Sequence, residues 1–469
     1  MGTIALIWAG PHLHAALGQS AGGWVSFQGG PAHRAAVVDD ALRPPLKRTW
    51  VAGAPGNDHG LSAAAVTAGV AVATGRTSLV GFDPASGAQL WTRSRAQGPL
   101  VPPAVDPASG PHGLVVYVEG NGATTSGLVG IDLSTRKQLW RVPLGDASIS
   151  APAIEGGLAF VGARDRFVYA IDVSAGALRW KVRSEGVVDS APAADGARVY
   201  VVSESSSLVR SRVYALDGAT GHIDWTYSPT SHALDDSSVT VADGRVYVGL
   251  GDTTVRTLDA ASGRLVWSAP VRGDFSPSSS PAVSGGSLYL QDREGGVYRL
   301  ERATGRLVWD FQFASIADSG APMVVGGNVF VGLEDGTVAA LSTASGHVLW
   351  RTQLRFGAIG PLAPAGGLLL VPSMGSTGGI AALQPVQGPL LDEHSPTELN
   401  VPVALVRYAA AFALMLAVVL GLFGGLGRRA ARTMGEAGTE TLAETVLEPE
   451  EKGRGQGSPD DDAVTHDDG

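Results

Sequence analysis

The segment LDAASGRLVW, Leu258–Trp267, is one copy of a phrase written seven times along the chain. The phrase reads Asp-x-x-Ser/Thr-Gly-x-x-x-Trp. Before it stand FDPASGAQLW (Phe82–Trp91), IDLSTRKQLW (Ile131–Trp140), IDVSAGALRW (Ile171–Trp180) and LDGATGHIDW (Leu216–Trp225). After it come LERATGRLVW (Leu300–Trp309) and LSTASGHVLW (Leu341–Trp350). With Trp50 in LKRTW, the tryptophans fall at Trp50, Trp91, Trp140, Trp180, Trp225, Trp267, Trp309 and Trp350, in steps of 41, 49, 40, 45, 42, 42 and 41. Eight of the ten tryptophans lie on this comb, so the chain is a repeat protein.

A period of about 42 residues holds four short strands and three turns, which is one blade of a β-propeller. Segments such as Val246–Gly249 and Val213–Leu216 alternate as half-buried strands do. The Asp of the phrase can cap its own turn, and the Gly supplies the left-handed residue the turn needs. Arg136 stands in the Gly place of the second phrase, which predicts a turn there that is strained or differently built. The Trp falls on the outermost strand, where it can pack across to the next blade. Seven phrases are complete; an eighth set of inner strands (Leu362–Ala365, Gly367–Val371, Gly379–Leu383) has no Trp phrase after it. Leu46–Trp50, from the other end of the domain, can supply the missing outer strand and remove two open sheet edges. The expected fold is therefore all-β, an eight-bladed propeller of four-stranded antiparallel blades over residues 44–386. Trp24 precedes it in a segment, 22–43, expected on the rim.

The phrase resembles the tryptophan-docking repeat of quinoprotein-like (PQQ-like) eight-bladed propellers, over roughly 340 residues. That family contains PQQ-dependent alcohol and glucose dehydrogenases. It also contains the non-enzymatic propeller lipoprotein of the outer-membrane barrel-assembly machinery. The resemblance implies a fold and leaves the activity open. A dehydrogenase of the family needs calcium held by carboxylate and amide groups beside the quinone, and a carboxylate base; many members also carry a vicinal disulfide. This chain has no cysteine, and repeat steps of 40 to 49 leave little room for long active-site insertions. The reading carried forward is a non-enzymatic protein without cofactor, the alternative being a PQQ/calcium oxidoreductase.

Composition narrows the partners. The net charge is −10. Residues 433–469 hold 11 acidic and 2 basic side chains, and Arg428, Arg429 and Arg432 add three positive charges, so residues 1–427 carry about −4. A near-neutral body without a basic stripe excludes nucleic acid as a partner. With 30 Arg against 4 Lys and 64 Gly, the chain also reads as the product of a GC-rich genome.

The ends point to a membrane. Tyr408–Gly427 is 20 residues without a charge, about 30 Å as a helix and enough to span a bilayer. The arginines after it put the C-terminus in the cytoplasm and the propeller outside. Small residues recur every fourth position and end at Gly421 and Gly425, a spacing that suits pairing of two such helices. Residues 1–21 form an expected signal segment, with Ile4–Ala9 apolar and Ala16 and Gly18 suited to a cleavage site, though no basic residue precedes it. Residues 387–407 form a tether, and 428–469 an acidic tail of disordered composition.

One set of chemistry-bearing residues recurs within the repeats. Asp189, Asp236 and Asp318 each precede a serine (Ser190, Ser237, Ser319) at matching places. Blade symmetry would gather them at one mouth of the channel, where carboxylates attract a cation or a basic segment. The alternative is that Asp caps turns locally. The ten histidines are scattered with no repeating ligand spacing, so no metal site is expected. The sequence alone thus predicts a single-pass membrane protein whose outside propeller binds protein or wall polymer, with a transmembrane sensor as a further alternative.

Overall fold

The computed structural model describes residues 23–386, apart from 38–41, 57, 68, 110–112, 205–210, 230–236, 318–320, 356 and 376–377. Thirty-two strands of this part make eight four-stranded antiparallel sheets. Blade one runs inside to outside as Ala65–Thr67, Val70–Thr74, Ser78–Phe82 and Gln89–Ser94. Blades two to seven repeat that order, ending in the outer strands Gln138–Pro143, Ala177–Arg183, Ile223–Tyr227, Leu265–Pro270, Leu307–Gln312 and Val348–Gln353. Blade eight takes its inner three strands from Ala363–Pro385 and its outer strand, Leu46–Gly53, from the start of the domain, as expected. The inner strands of blades one to seven touch in sequence, and the first, Ala65–Thr67, meets Ala363–Ala365 of blade eight; blades seven and eight share one buried apolar cluster, so the ring is closed. The middle strands are apolar on both faces, as in Val70–Thr74 and Leu114–Glu119, because each lies between two neighbouring sheets.

The phrase acts through a β-bulge. In all eight blades the outer strand slips by one residue against its neighbour just before the Trp, as between Gln138 and Trp140 or Arg48 and Trp50. One extra residue re-aims the next side chain, and the Trp turns toward the following blade. There the indole lies against the Gly of the next phrase. A methyl group on Gly263 would stand 2.6 Å from the Trp225 ring, and one on Gly176, 2.2 Å from Trp140. The indole N–H donates to a carbonyl of the same turn: Trp140 to Val173 at 2.8 Å, Trp180 to Gly218 at 2.9 Å, and Trp225 to Ala260 at 3.0 Å. Trp267 and Trp309 repeat this on Arg302 and Thr343. Burying one such ring contributes up to about 4–6 kcal/mol.

Where the phrase departs, so does the docking. Arg136 adopts a left-handed φ of 60°, which for a side chain with a Cβ costs about 1–2 kcal/mol. Trp91, of blade one, finds no glycine in that turn and packs on the blade-two cluster beside Leu133, while lying over Gly81 of its own blade as Trp140 lies over Gly130. Trp50 docks on Gly87, but its indole N–H is buried without an acceptor. In blades two to seven the residue after the phrase's Asp pins its turn by donating its N–H to the first hairpin, as Val173 does to Gly157 and Ala260 to Gly244. In blade one that residue is Pro84, which has no N–H to give.

Segment 22–43 was expected on the rim; its described part lies instead across the inner strands. Trp24 is 4% exposed and its carbonyl accepts the N–H of Val66 at 2.6 Å. The backbone then passes from blade to blade, accepting from Val105, Ala194, Val241, Val283 and Val324 through Val25, Pro31, Ala32, Arg34 and Ala35. It ends as a short parallel strand, Ala36–Val37, on Met323–Val325. The physical reason is accounting: short inner strands leave a backbone N–H facing the axis, and the segment satisfies these groups in turn.

Among the described residues no helix is long and apolar enough to cross a membrane. The segments 1–21, 387–407, 408–427 and 428–469, with Gly421 and Gly425, lie outside the described residues.

The docking geometry sets a test. Gly263→Ala and Gly244→Ala both place a Cβ at a positive φ, 68° and 71°, but only the first meets an indole; nothing lies within 4 Å of the second. Gly244→Ala should cost about 1–2 kcal/mol. Gly263→Ala should cost at least about 1 kcal/mol more, from displacement of Trp225, as read by denaturant unfolding; equal losses would refute the stacking role.

Candidate functional site

The loops that enter the inner strands carry serines, and their hydroxyls are spent on backbone groups of their own and the adjoining blades. Ser150 donates to the carbonyl of Ser190 at 2.8 Å and accepts from Gly162 N–H at 3.1 Å. Ser190 both donates to the Val202 carbonyl and accepts its N–H. Ser238 accepts from Ala191 N–H at 2.8 Å and donates to Pro277 at 2.7 Å. Small side chains are needed here because eight blades converge, and hydroxyls let them close their own backbone groups.

The axis is also filled. Phe27, 3% exposed, packs among Val101, Ala151 and Ala191 from the loops of blades two, three and four. His33 meets Phe27 edge to face at 5.0 Å and shares a hydrogen bond through Nδ1 with the Val239 carbonyl at 2.9 Å. Burial drives its pKa down to about 4, opposed by that carbonyl. Arg34, beside it, donates to the Val241 carbonyl at 3.2 Å and faces Asp195 at 3.8 Å.

Of the three acids predicted at the channel mouth, Asp236 and Asp318 lie outside the described residues. Asp189 is buried, and Arg164 grips it through Nε at 3.1 Å and Nη2 at 2.9 Å. Its charge is balanced by that arginine, so Asp189 joins blades three and four more than it projects a field. Elsewhere at the same mouth, Asp274, Arg293, Glu294, Ile316 and Glu334 line a cavity of about 410 Å³ with both signs of charge. The Arg164 partner is a residue that sequence reasoning missed; it lies 25 positions before Asp189, in the preceding hairpin, with no local pattern to mark it.

A quinone with calcium asks for carboxylate and amide oxygens that converge and are not otherwise engaged. Among the described residues no group of three His, Cys, Asp or Glu side chains is placed to hold a metal. The hydroxyls of Ser150, Ser190 and Ser238 are engaged, Asp189 is paired, and Phe27 packs against blades two to four; Ser26 Oγ and Gln28 Oε1 of the axial segment are buried without a partner. The described residues thus bring no converging set of carboxylates to calcium, and Asp236 and Asp318 lie outside them.

A family model described as outer membrane protein assembly factor BamB matches residues 124–276 and 252–412. Together these cover more than half of the 469 residues. The chain belongs to this PQQ-like repeat family. BamB from Moraxella catarrhalis superimposes with a TM-score of 0.57 at 18% identity, over 72% of this chain and 99% of that one. A europium-containing methanol dehydrogenase gives 0.64 at 14% identity, over 78% and 92%. The quinohemoprotein alcohol dehydrogenase from Comamonas testosteroni gives 0.64 at 14%, over 79% and 82%. At these identities the likeness is one of fold, shared by an assembly factor and by dehydrogenases. Among curated proteins, the serine/threonine-protein kinase AfsK of Streptomyces griseus is 27% identical over 194 residues, 39% of this chain and 22% of the kinase. The chain thus spans about a fifth of that relative's length.

The buried imidazole predicts a pH dependence. A histidine whose folded pKa lies below its unfolded value of about 6.5 contributes stability that is present above pH 6.5 and lost as pH falls toward 4. A shift to about 4 corresponds to a loss on the order of 3 kcal/mol across that window. His33→Gln should flatten the fall in unfolding free energy between pH 7 and 4.5. A variant as steep as the parent would place the titrating group elsewhere.

Proposed function

We propose that the chain is a non-enzymatic binding scaffold of the cell envelope, a propeller held outside the membrane by the segment 408–427. The observation that carries this reading is the state of the axis. The region where blades converge is closed by the chain's own residues, Trp24 to Val37, and by serines bonded to their neighbours. Binding is then left to the outer surface. Aliphatic side chains stand exposed on outer strands, among them Leu90, Leu139, Leu178, Leu307 and Leu349, each 44–55% exposed. Apolar groups spaced one to a blade around a toroid suit a protein partner that lies along several blades. Membership of a family described by an outer membrane protein assembly factor supports the same reading.

The dehydrogenase-like neighbours define the competing outcome. The purified full-length chain, mixed with PQQ and calcium, should show no saturable change in quinone absorbance and no dye reduction with alcohols or sugars. Cofactor-dependent turnover would replace the scaffold with an oxidoreductase. Cross-linking in intact cells, read by mass spectrometry, should return envelope proteins bound through outer-strand residues, and protease added outside spheroplasts should reach the propeller. A propeller protected in the cytosol would overturn the topology.

The match to part of a protein kinase favours a second reading, a transmembrane sensor whose helices pair through Gly421 and Gly425 and whose ligand binds the mouth near Asp189, Asp236 and Asp318. Gly421→Leu with Gly425→Leu should then abolish helix cross-linking; unchanged cross-linking removes that reading.

A further inference from the structure

Seven of the eight inner strands have their axis-facing N–H accounted for. In blades one, two, four, five, six and seven, Val66, Val105, Ala194, Val241, Val283 and Val324 donate to carbonyls of the axial segment. In blade eight the equivalent residue is Pro364, which has none to give. Blade three is the exception. Ile154 pairs with Ala159 in the same register as Ala194 with Val199, yet no carbonyl reaches its N–H among the described residues. As the axial segment passes this blade it turns away from the strand, through the tight turn Phe27–Gly29, and returns at Pro31.

The detour leaves a cavity of about 230 Å³, between Val25, Ser26 and Pro31 on one side and the hairpins of blades two and three on the other. Two carboxylates line it, Asp106 and Glu155, and no basic side chain does. Ser26, 3% exposed, also lines it; its Oγ has no hydrogen-bond partner and is shielded from solvent. Burial, and then the Asp195 carboxylate, hold Glu155 above the usual carboxylate range, with the Gly196 N–H opposing. Gly156 and Gly157 leave open space at the wall.

We propose that this cavity binds the amino terminus of a peptide, one or two residues deep. A backbone carbonyl is what fills the same position in six other blades, so the first carbonyl of the ligand would accept from Ile154 N–H. Its ammonium would meet Glu155, and Asp106, whose oxygens already accept from Ala108 N–H and Ser109 Oγ, would add negative charge from the other side. The volume lies below the roughly 300 Å³ at which drug-sized pockets begin, which limits the ligand to such a fragment. This site is separate from the outer surface to which the scaffold role is assigned and can be tested without any scaffold partner.

Calorimetric titration of the purified full-length chain with alanyl-alaninamide at neutral pH should show one saturable site. N-acetylation of the peptide, which removes the ammonium, should weaken binding at least about tenfold, as should Glu155→Gln. Ile154→Phe, which enlarges a side chain at the cavity wall, should abolish it while the protein still melts cooperatively. Absence of saturable heat in the parent, equal binding of the acetylated peptide, or undiminished binding by Ile154→Phe would each overturn the proposal.

Discussion

An indole lying on a glycine is the contact on which this ring depends. It works only because three local features coincide: a bulge that turns the Trp outward from its own sheet, a glycine without a Cβ in the neighbour's turn, and a carbonyl of that turn aimed at the indole N–H. None of the three would stabilise a single blade alone. Each Trp is therefore a statement about the next blade, and stability accumulates around the circle by nearest-neighbour terms. This explains why Asp gives way to Glu301 in blade six and to Ser342 in blade seven without harm to the docking. Any oxygen that accepts from the turn will do, whereas the glycine has a ring pressed against it.

The seam of the ring shows what happens when the phrase runs out. Trp350 faces a blade that has no phrase to receive it, and Trp50 docks on a turn whose Pro84 leaves the indole N–H without an acceptor. Closure at this point relies instead on main-chain hydrogen bonds, the seven-residue pairing of Leu46–Gly53 with Gly379–Pro385. The axial segment then adds bonds to six blades from inside. Sequence-distant ends are thus tied twice, once at the perimeter and once at the axis, where side-chain docking is weakest.

The blades, their number and the borrowed eighth outer strand were legible because they follow from a fixed period and a composition-independent rule about open edges. The bulge was not, since it is a property of pairing between strands and leaves no mark on one strand's residues. Trp24–Val37 was not either: its role is carried by backbone carbonyls, which every sequence has, and GWVSFQGG gives no sign of where they point. Asp189 could be placed at a mouth by symmetry, but its charge could not be balanced on paper, because Arg164 belongs to another hairpin. Site chemistry here depends on contacts between repeats, while the repeat itself is all that one sequence displays.

The same argument separates the two kinds of protein that share this fold. A catalytic propeller must leave polar groups at its centre unsatisfied by protein so that a cofactor can take them, and must hold them rigidly enough to do so. In this chain the hydroxyls of Ser150, Ser190 and Ser238 close on backbone groups, and Phe27 brings an apolar side chain against blades two to four. Both choices lower the free energy of the empty ring, since a buried polar group left without a partner costs about 1–3 kcal/mol. Unspent hydrogen-bonding capacity then survives where the chain's own segment bends away, beside Ile154, and on the open edges of the outer strands. On the scaffold reading proposed above, a ring that closes its own axis recognises other molecules at its margins.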